Sequence, residues 1–335
     1  MLPALAHSPG ADPLRAPLFD AQGRLMTYLR MSVTDRCNFR CAYCSPAHWA
    51  GKKDHLSPAE LQRIAQVFAR MGVRRVRLTG GEPLIRPDIL EIVQRLRAVE
   101  GLEQVTMTTN ASRLQALAAP LRAAGMDQLN ISLDTLSPEA FRRISPMGEL
   151  ADVLAGIDAA VEAGFPQLKL NVVVMKGVND GEVPALVAYA HARRIIPRFI
   201  ELMPFGQGEG IPTQALIERL MASGMPMVAD DAPQGPHSGP ARYYRTPTGH
   251  VGFVSPMTQN FCSGCNRVRV AANGDLRSCL GGREQSPLHV LIRGGATDER
   301  LAVAIRGSLG LKPDGHRFTE AGAHDQLLPM MGIGG

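Results

Sequence analysis

The chain has 335 residues, of which 45% are hydrophobic and 20% are charged, and this is the composition of an ordinary globular protein. Its length accommodates one large α/β domain with an appendage, or two domains. No apolar run is long enough to cross a bilayer, so we expect no membrane association. The formal net charge of +5 suits a polyanionic ligand, but no RGG tract or basic–aromatic ladder predicts nucleic-acid binding.

The N-terminal residues 1–24 predict a loosely ordered tail. Four prolines interrupt the first twenty residues, and the segment lacks the basic start of a signal peptide. Nothing in the sequence points to an oxidising compartment. We therefore expect a cytoplasmic protein, where thiols stay reduced.

A strand–helix alternation follows, up to residue 202. Ser57 and Glu60 form a capping box with Pro58 at the first helical position, which predicts a helix ending at Met71. Apolar periodicity predicts the remaining elements. The predicted strands lie at 28–33, 74–78, 104–107, 128–133, 168–174 and 198–202, and the later helices at 88–99, 114–124, 138–144, 149–163 and 182–193.

Six such units predict an α/β fold whose parallel sheet forms an incomplete (β/α)6 barrel, with a doubly wound open sheet as the alternative. Loops after the strands then carry the active site. Beyond residue 202, Gly- and Pro-rich segments flank a helix at 213–223. We therefore divide the chain into a barrel of residues 25–240 and a smaller module of residues 241–335.

The smaller module contains a predicted β-hairpin. Residues 267–270, RVRV, alternate as a strand does, and the Asn-Gly pair at 273–274 is a strong turn signal. The hairpin is expected to return Cys279 towards Cys262 and Cys265.

All six cysteines fall into two sets of three. Cys37, Cys41 and Cys44 have the spacing C-x3-C-x2-C, and the second set has the spacing C-x2-C-x13-C. Three thiolates around a [4Fe–4S] cluster leave one iron open to a small molecule, so two triads indicate two open clusters. Disulfides are disfavoured because odd sets at tight spacing pair poorly. Zinc stays open for the second triad, since His250 or His289 would complete a Cys3His site.

The first cysteine loop, with Tyr43 just before its last cysteine, resembles the loop of the radical S-adenosylmethionine (SAM) superfamily. The Gly-Gly-Glu-Pro turn at 80–83 strengthens the resemblance, because glycines let backbone approach a ligand. From about residue 25 to the end, the chain further resembles the GTP 3′,8-cyclase family of molybdenum-cofactor biosynthesis. The matching segments are LRMSVTDRCNFRCAYC, VRLTGGEPLIR, TTN, NISLDT, KLNVVVMKGVND, RFIELMP, FCSGCNRVRV and a final IGG. Ser45 and Ala111 depart from the family pattern.

The resemblance implies a barrel of the radical SAM type, a role for each motif and two [4Fe–4S] clusters as cofactors. The cluster ligands would be Cys37, Cys41 and Cys44 for the SAM cluster, and Cys262, Cys265 and Cys279 for the second cluster, whose open iron would bind guanine. The SAM contacts would be Tyr43, Gly81, Ser132 and Met203. The GTP contacts would be Arg30, Arg77, Thr108, Lys169, Arg267, Val268 and Arg269. The terminal Gly334 and Gly335 would reach into the barrel beside SAM and act in catalysis.

Two of the expected GTP contacts are also unusual by position. Arg77 and Lys169 interrupt otherwise apolar strands, where an unpaired cation is costly, and this favours a ligand-binding role.

The implied reaction begins when a 5′-deoxyadenosyl radical removes hydrogen from C3′ of GTP. It ends in 3′,8-cyclo-7,8-dihydroguanosine 5′-triphosphate. The implied partners are GTP, SAM and an electron donor, while a downstream pterin synthase and a homodimer stay open. The alternatives are a radical SAM peptide-modifying enzyme with an auxiliary cluster and a zinc-dependent nucleic-acid-binding protein.

Overall fold

The structure is a computed structural model that describes residues 12–44, 54–230, 232–235, 237–282, 284–318 and 330–333. The strands are β1 Tyr28–Thr34, β2 Arg75–Gly80, β3 Gln104–Thr109, β4 Gln128–Ser132, β5 Gln167–Val174, β6 Ile196–Glu201, β7 Val228–Ala229, β8 Arg242–Thr246, β9 Gly249–Val254, β10 Arg267–Val270, β11 Asp275–Arg277 and β12 Ser286–Pro287. The helices are α1 Pro58–Arg70, α2 Ile89–Arg97, α3 Leu114–Ala123, α4 Pro138–Ile144, α5 Leu150–Glu162, α6 Val183–Ala192, α7 Thr213–Ala222, α8 Leu288–Arg293, α9 Asp298–Gly310 and α10 Met330–Ile333.

Strands β1 to β6 lie side by side in chain order, and each pairs in parallel with the next. The capping box at Ser57 and Glu60 is present at the start of α1. One face of every strand is apolar and packs in the core, as Leu29, Val76 and Leu129 illustrate. The opposite face carries polar side chains. The predicted parallel α/β architecture is confirmed.

The sheet is strongly curved, so its polar face encloses an interior. Arg75 on β2 and Arg198 on β6 are four strands apart in the sheet order, which is about 19 Å in a flat sheet. Their charges are nevertheless close enough for Arg198 to lower the pKa of Arg75. Such curvature is that of a partial barrel, in agreement with the predicted incomplete (β/α)6 architecture.

Residues after 240 extend both edges of this barrel. β9 pairs in parallel with β6, and β10 pairs in parallel with β1. The predicted hairpin joins β10 to β11, with Gly274 at a φ of 86° in its turn. Strand pairs therefore cross the boundary drawn at residue 240, and the division into two domains stays a prediction.

The described part of the N-terminal segment, residues 12–24, packs against the C-terminal part of the chain. Leu14 and Leu18 are fully buried, and Arg306 donates hydrogen bonds to the carbonyls of Pro13 and Pro17. Within the described ranges, no helix combines the length and the apolarity needed to cross a membrane.

Candidate active site

The first cysteine triad lies in the loop that follows β1. The Cys44 amide donates to the Cys41 carbonyl over 3.0 Å, and the Phe39 amide donates to the Cys37 sulfur over 3.3 Å. Cys41 Sγ lies 2.8 Å from Ser145 Oγ, at the end of α4. The loop is thus folded by its own backbone and supported from one side by α4.

The Gly-Gly-Glu-Pro turn after β2 packs directly on this loop. The Gly81 amide donates to the Thr34 carbonyl over 2.8 Å. A Cβ on Gly81 would lie only 2.0 Å from the Arg36 carbonyl oxygen and 2.9 Å from the Cys37 amide nitrogen. Only glycine permits this contact, which holds the turn against the first cysteine.

Glu82 in the same turn has a structural role that the sequence analysis did not predict. Its buried carboxylate accepts hydrogen bonds from the amides of Leu84 and Asn110, at 2.9 and 2.7 Å, and from the Thr109 hydroxyl at 2.7 Å. Burial raises the pKa of Glu82 to about 7, although these three donors lower it. The carboxylate therefore ties the loop after β2 to the loop after β3.

Tyr43, one of the predicted SAM contacts, is fixed by a buried acid. Its hydroxyl donates to Asp134 Oδ2 over 2.8 Å, and Asp134 Oδ1 accepts from the Val173 amide over 2.8 Å. Ser132, at the end of β4, precedes Asp134 by two residues. The interaction brings the cysteine loop to the ends of β4 and β5.

Met203, the last of the four predicted SAM contacts, lines a cavity of about 320 Å³ in the loop after β6. This loop closes on the cysteine loop at Gly206, where a Cβ would lie 2.5 Å from the Ala42 carbonyl oxygen. The Gln207 amide donates to the same carbonyl over 3.0 Å. The predicted SAM contacts are thus all in loops or strand ends near the first triad.

The three thiols of the first triad are costly to ionise unless a cation binds them. Burial raises the pKa of Cys37 to about 11 and that of Cys44 to about 12, and it raises the pKa of Cys41 further. Asp134 and neighbouring thiols of the triad also raise the pKa of Cys41 and of Cys44, so these side chains are close enough to interact electrostatically. Iron that binds these thiolates would remove the cost of ionising them, and the donor set therefore fits a [4Fe–4S] cluster.

Three predicted GTP contacts form a row across adjacent strands. Arg269 on β10 is in register with Arg30 on β1, and Arg30 is in register with Arg77 on β2. Neighbouring strands are about 4.8 Å apart, so the three guanidinium groups share one face. Burial and the charges of Arg269 and Arg77 lower the pKa of Arg30 to about 9. We call Arg269, Arg30 and Arg77 the arginine row.

The arginine row continues towards Thr108 and Lys169. Arg77 Nη1 donates to Thr108 Oγ1 over 3.4 Å. Lys169 Nζ donates to the Tyr243 hydroxyl over 3.0 Å. Burial, followed by the charges of Arg198 and Arg75, lowers the pKa of Lys169 to about 6. Among the described residues, Arg77, Arg269 and Lys169 have no carboxylate within 4.0 Å, so the described part of the chain supplies no ion-pair partner for these cations.

Several interior residues could not be identified from the sequence. Tyr28 contacts Arg77 Nε through its hydroxyl, and the charges of Arg77, Arg75 and Arg30 outweigh burial and lower the pKa of Tyr28 to about 7. Arg198 on β6 donates to Asn171 Oδ1 on the neighbouring strand β5. The available sequence signal for a cationic interior was that Arg75 and Arg77 lie two apart in one strand and therefore on the same face.

The second triad lies next to the arginine row: Cys262 and Cys265 precede β10, and the antiparallel hairpin returns Cys279, which follows β11, towards the start of β10. Arg267 and Lys312 lower the pKa of Cys265 to about 6, although burial raises it. The pKa of Cys262 is raised by burial and by the other two thiols of the triad, so these sulfur atoms also interact. The donor set again fits a cluster, in a positively charged environment that contrasts with the acidic one around the first triad.

Of the two histidines weighed as zinc ligands, His250 contacts an acid within hydrogen-bond distance, whereas His289 Nδ1 has no hydrogen-bond partner among the described residues. His250 Nε2 lies 3.2 Å from Asp230 Oδ2, and His289 Nδ1 lies 3.7 Å from Asp275 Oδ1. In the parts of the chain that the structure describes, no three Cys, His, Asp or Glu side chains are grouped to hold a single metal ion.

Three predicted site residues have no side chain in the described part of the site. Val268 is fully buried in the apolar core, on the opposite face of β10 from Arg267 and Arg269, so only its backbone faces the interior. Gly334 and Gly335 lie outside the described residues. The nearby Met331 is described, and its amide donates to the Cys44 sulfur, which brings the end of the chain to the first triad.

Comparisons with known proteins agree with this geometry. Residues 31–190 match the radical SAM superfamily, and residues 195–318 match the family described as Molybdenum Cofactor Synthesis C. GTP 3′,8-cyclase 1 of Pseudomonas aeruginosa is 46% identical, over 94% of this chain and 98% of that protein. GTP 3′,8-cyclase of Rhizobium meliloti is 42% identical, over 94% and 93%.

Among solved structures, Streptococcus suis SuiB bound to precursor peptide SuiA has a TM-score of 0.63 at 14% identity, over 92% of this chain and 76% of that one. This likeness shows a common fold.

A partial barrel with three cysteines after β1 and a glycine-rich turn after β2 defines a radical SAM enzyme. Its cofactors are SAM and [4Fe–4S] clusters, as predicted. With relatives of 42–46% identity over nearly the whole length, the chain belongs to the GTP 3′,8-cyclase family.

Proposed function

We propose that this chain is a lyase that converts GTP to 3′,8-cyclo-7,8-dihydroguanosine 5′-triphosphate, the first step of molybdenum-cofactor biosynthesis. The observation that carries the proposal is the arginine row between two cysteine triads, in which Arg77 and Arg269 are buried with no carboxylate within 4.0 Å among the described residues. A buried cation is costly without an anion, and a triphosphate supplies several negative charges. Family membership supports the same substrate.

The first triad would hold the cluster that binds SAM, and the second triad would hold the cluster that faces GTP. When bound, the reduced first cluster and SAM supply a 5′-deoxyadenosyl radical, which takes hydrogen from C3′ of GTP. Gly81 and Tyr43 would position SAM, together with Ser132 and Met203. This role is supported by the packing of their loops on the cysteine loop.

The protein's residues would mainly bind and orient GTP. The arginine row would hold phosphate oxygens through bidentate hydrogen bonds, and Arg267 would extend it. Lys169 would gain its proton when the triphosphate binds. Thr108, already a partner of Arg77, would supply a hydroxyl. Holding the ribose C3′ and guanine C8 in one orientation accounts for much of the rate enhancement.

The last residues of the chain would complete the site. The Met331 amide already reaches the Cys44 sulfur, and two glycines after Ile333 can enter a gap that a Cβ would block. Gly334 and Gly335 would therefore extend towards SAM. Deleting both would prevent productive SAM cleavage.

The protein would work in the cytoplasm with a reduced one-electron donor, and its product would pass to a pterin synthase. A homodimer stays open. Zinc in the second triad, as in a nucleic-acid-binding protein, is not supported by a family whose cofactors are clusters. A peptide substrate would not need the arginine row.

The test is an anaerobic incubation of reconstituted protein with SAM, GTP and a chemical reductant, followed by mass-spectrometric identification of the products. We expect cyclised GTP and 5′-deoxyadenosine in equal amounts, both dependent on GTP. Formation of 5′-deoxyadenosine at the same rate without GTP, with no cyclised product, would reject the proposal.

A further inference from the structure

Lys312, just beyond α9, is buried beside the second cysteine triad. Only 3% of its surface is exposed. Its ammonium group lies 2.7 Å from the Arg267 carbonyl oxygen and 3.6 Å from Cys265 Sγ. The amine can therefore donate one hydrogen bond to the backbone that enters β10 and another to a cluster-ligating sulfur.

The charges around Lys312 do not balance within the protein. Its only carboxylate neighbour in the described ranges is Asp20, whose Oδ2 is 3.8 Å away. That oxygen is already 2.6 Å from Arg24 Nε. Two cations thus share one buried carboxylate, which leaves one positive charge directed at the triad. A buried excess charge is costly unless an anion compensates it.

Arg24 holds in place the backbone on both sides of this contact, at Cys262 and in the residues just after Lys312. Its guanidinium donates to the Cys262 carbonyl over 2.7 Å and to the carbonyls of Pro313 and Asp314. The backbone of the segment that carries Lys312 is thereby joined to the N-terminal segment and to the first cysteine of the triad. Lys312 consequently has little freedom to turn away from Cys265.

We propose that Lys312 is a positioning residue for the second cluster, which donates an N–H···S hydrogen bond to the Cys265 ligand and compensates the negative charge of the cluster and its thiolates. Reduction adds one negative charge to the cluster, so a fixed cation beside it stabilises the reduced state and makes its midpoint potential less negative. The negative charge of Asp20 acts in the opposite direction and makes the midpoint potential more negative. The inference rests on the proposed presence of a cluster in the second triad, and it does not depend on the identity of the substrate.

The experiment uses the full chain with Cys37, Cys41 and Cys44 all changed to Ala, so that only the second cluster is loaded. An EPR-monitored redox titration then gives the midpoint potential of that cluster. We expect Lys312→Met to shift it to a more negative value and Asp20→Asn to shift it to a less negative value. Lys176→Met is the matched control, because Lys176 is exposed and pairs with Glu209, and it should shift nothing.

Cluster retention is the second readout. Loss of an outer-shell partner typically weakens metal binding by about 10- to 100-fold, so Lys312→Met should release iron to a chelator at least about 10-fold faster. Lys312→Arg, which keeps the charge, should retain most of the parent potential.

Absence of iron and sulfide from the parent second triad would reject the proposed function itself. With the cluster present, an unchanged potential in both Lys312→Met and Asp20→Asn would overturn the role of Lys312. If Lys312→Met does not fold, the role of Lys312 is judged from Asp20→Asn alone. A shift of the midpoint potential to a less negative value supports the role, and an unchanged potential overturns it.

Discussion

The Tyr43 hydroxyl donates a 2.8 Å hydrogen bond to Asp134, a buried acid after β4. Burial raises the pKa of Asp134 to about 6, and this bond lowers it. Because Tyr43 lies between Cys41 and Cys44 in the chain, its bond to Asp134 fixes the orientation of the cysteine loop.

We predict that Asp134→Ala destabilises the first cluster selectively. The change removes the acceptor for Tyr43 and leaves the Val173 amide without its carboxylate partner. Release of iron to a chelator should become about 10-fold faster for the first cluster and stay unchanged for the second. Asp152→Ala, on the exposed surface of α5, serves as the control. Equal rates in parent and Asp134→Ala would show that the acid is dispensable.

Gly81→Ala should prevent assembly of the first site. The new Cβ would lie 2.0 Å from the Arg36 carbonyl oxygen, a contact that only a shift of the cysteine loop can relieve. We expect loss of SAM-cleaving activity and of about half of the iron. Gly307→Ala is the control, since a Cβ at this position in α9 would have no atom within 4 Å. Full iron content and SAM cleavage in Gly81→Ala would contradict the close packing of the turn.

Much of this fold could be predicted from local signals. The capping box located the start of α1, and apolar periodicity placed β1 to β6 within two residues of their observed ends. The pairing of β9 with β6 and of β10 with β1 could not be predicted. These strands are brought together across long stretches of chain, and neither strand carries a local signal of its partner.

The site was predictable where chemistry depends on spacing along the chain. Both cysteine triads follow from their spacing, and Arg77 and Lys169 follow from cations in apolar strands. Tyr28 and Arg198 were missed because their role depends on the curvature and register of the sheet. Glu82 was given no role of its own from the sequence, because its link between two loops depends on three donors that only the fold brings together.

Arg269→Ala should weaken GTP binding while SAM binding stays at the parent level. Arg269 is buried and its Nε has no hydrogen-bond partner among the described residues, which leaves it available to a phosphate. Loss of one charge-assisted contact costs about 1.5–3 kcal/mol, or roughly 10- to 150-fold in the dissociation constant. Equilibrium binding of labelled GTP measures this. Arg300→Ala, on the exposed face of α9, is the control, and equal affinity in parent and Arg269→Ala would refute the contact.

GTP binding should take up a proton at Lys169. Burial and neighbouring arginines lower the pKa of Lys169 to about 6, so the amine is mostly neutral at pH 7.5 in the free protein. A bound triphosphate favours the charged form and raises this pKa, so affinity should fall as pH rises above about 6. Calorimetry in buffers of different ionisation enthalpy measures the proton uptake. Lys169→Met should lose this proton uptake, and the same uptake in parent and variant would exclude Lys169 as its source.

Hydrogen is expected to leave C3′ of GTP that is bound on the arginine row between the two triads. Anaerobic turnover of reconstituted protein with SAM, reductant and 3′-deuterated GTP tests it most directly. We predict that 5′-deoxyadenosine carries the deuterium and that the cyclised product has lost it. Unlabelled 5′-deoxyadenosine, formed while deuterium stays in the guanosine product, would contradict the account.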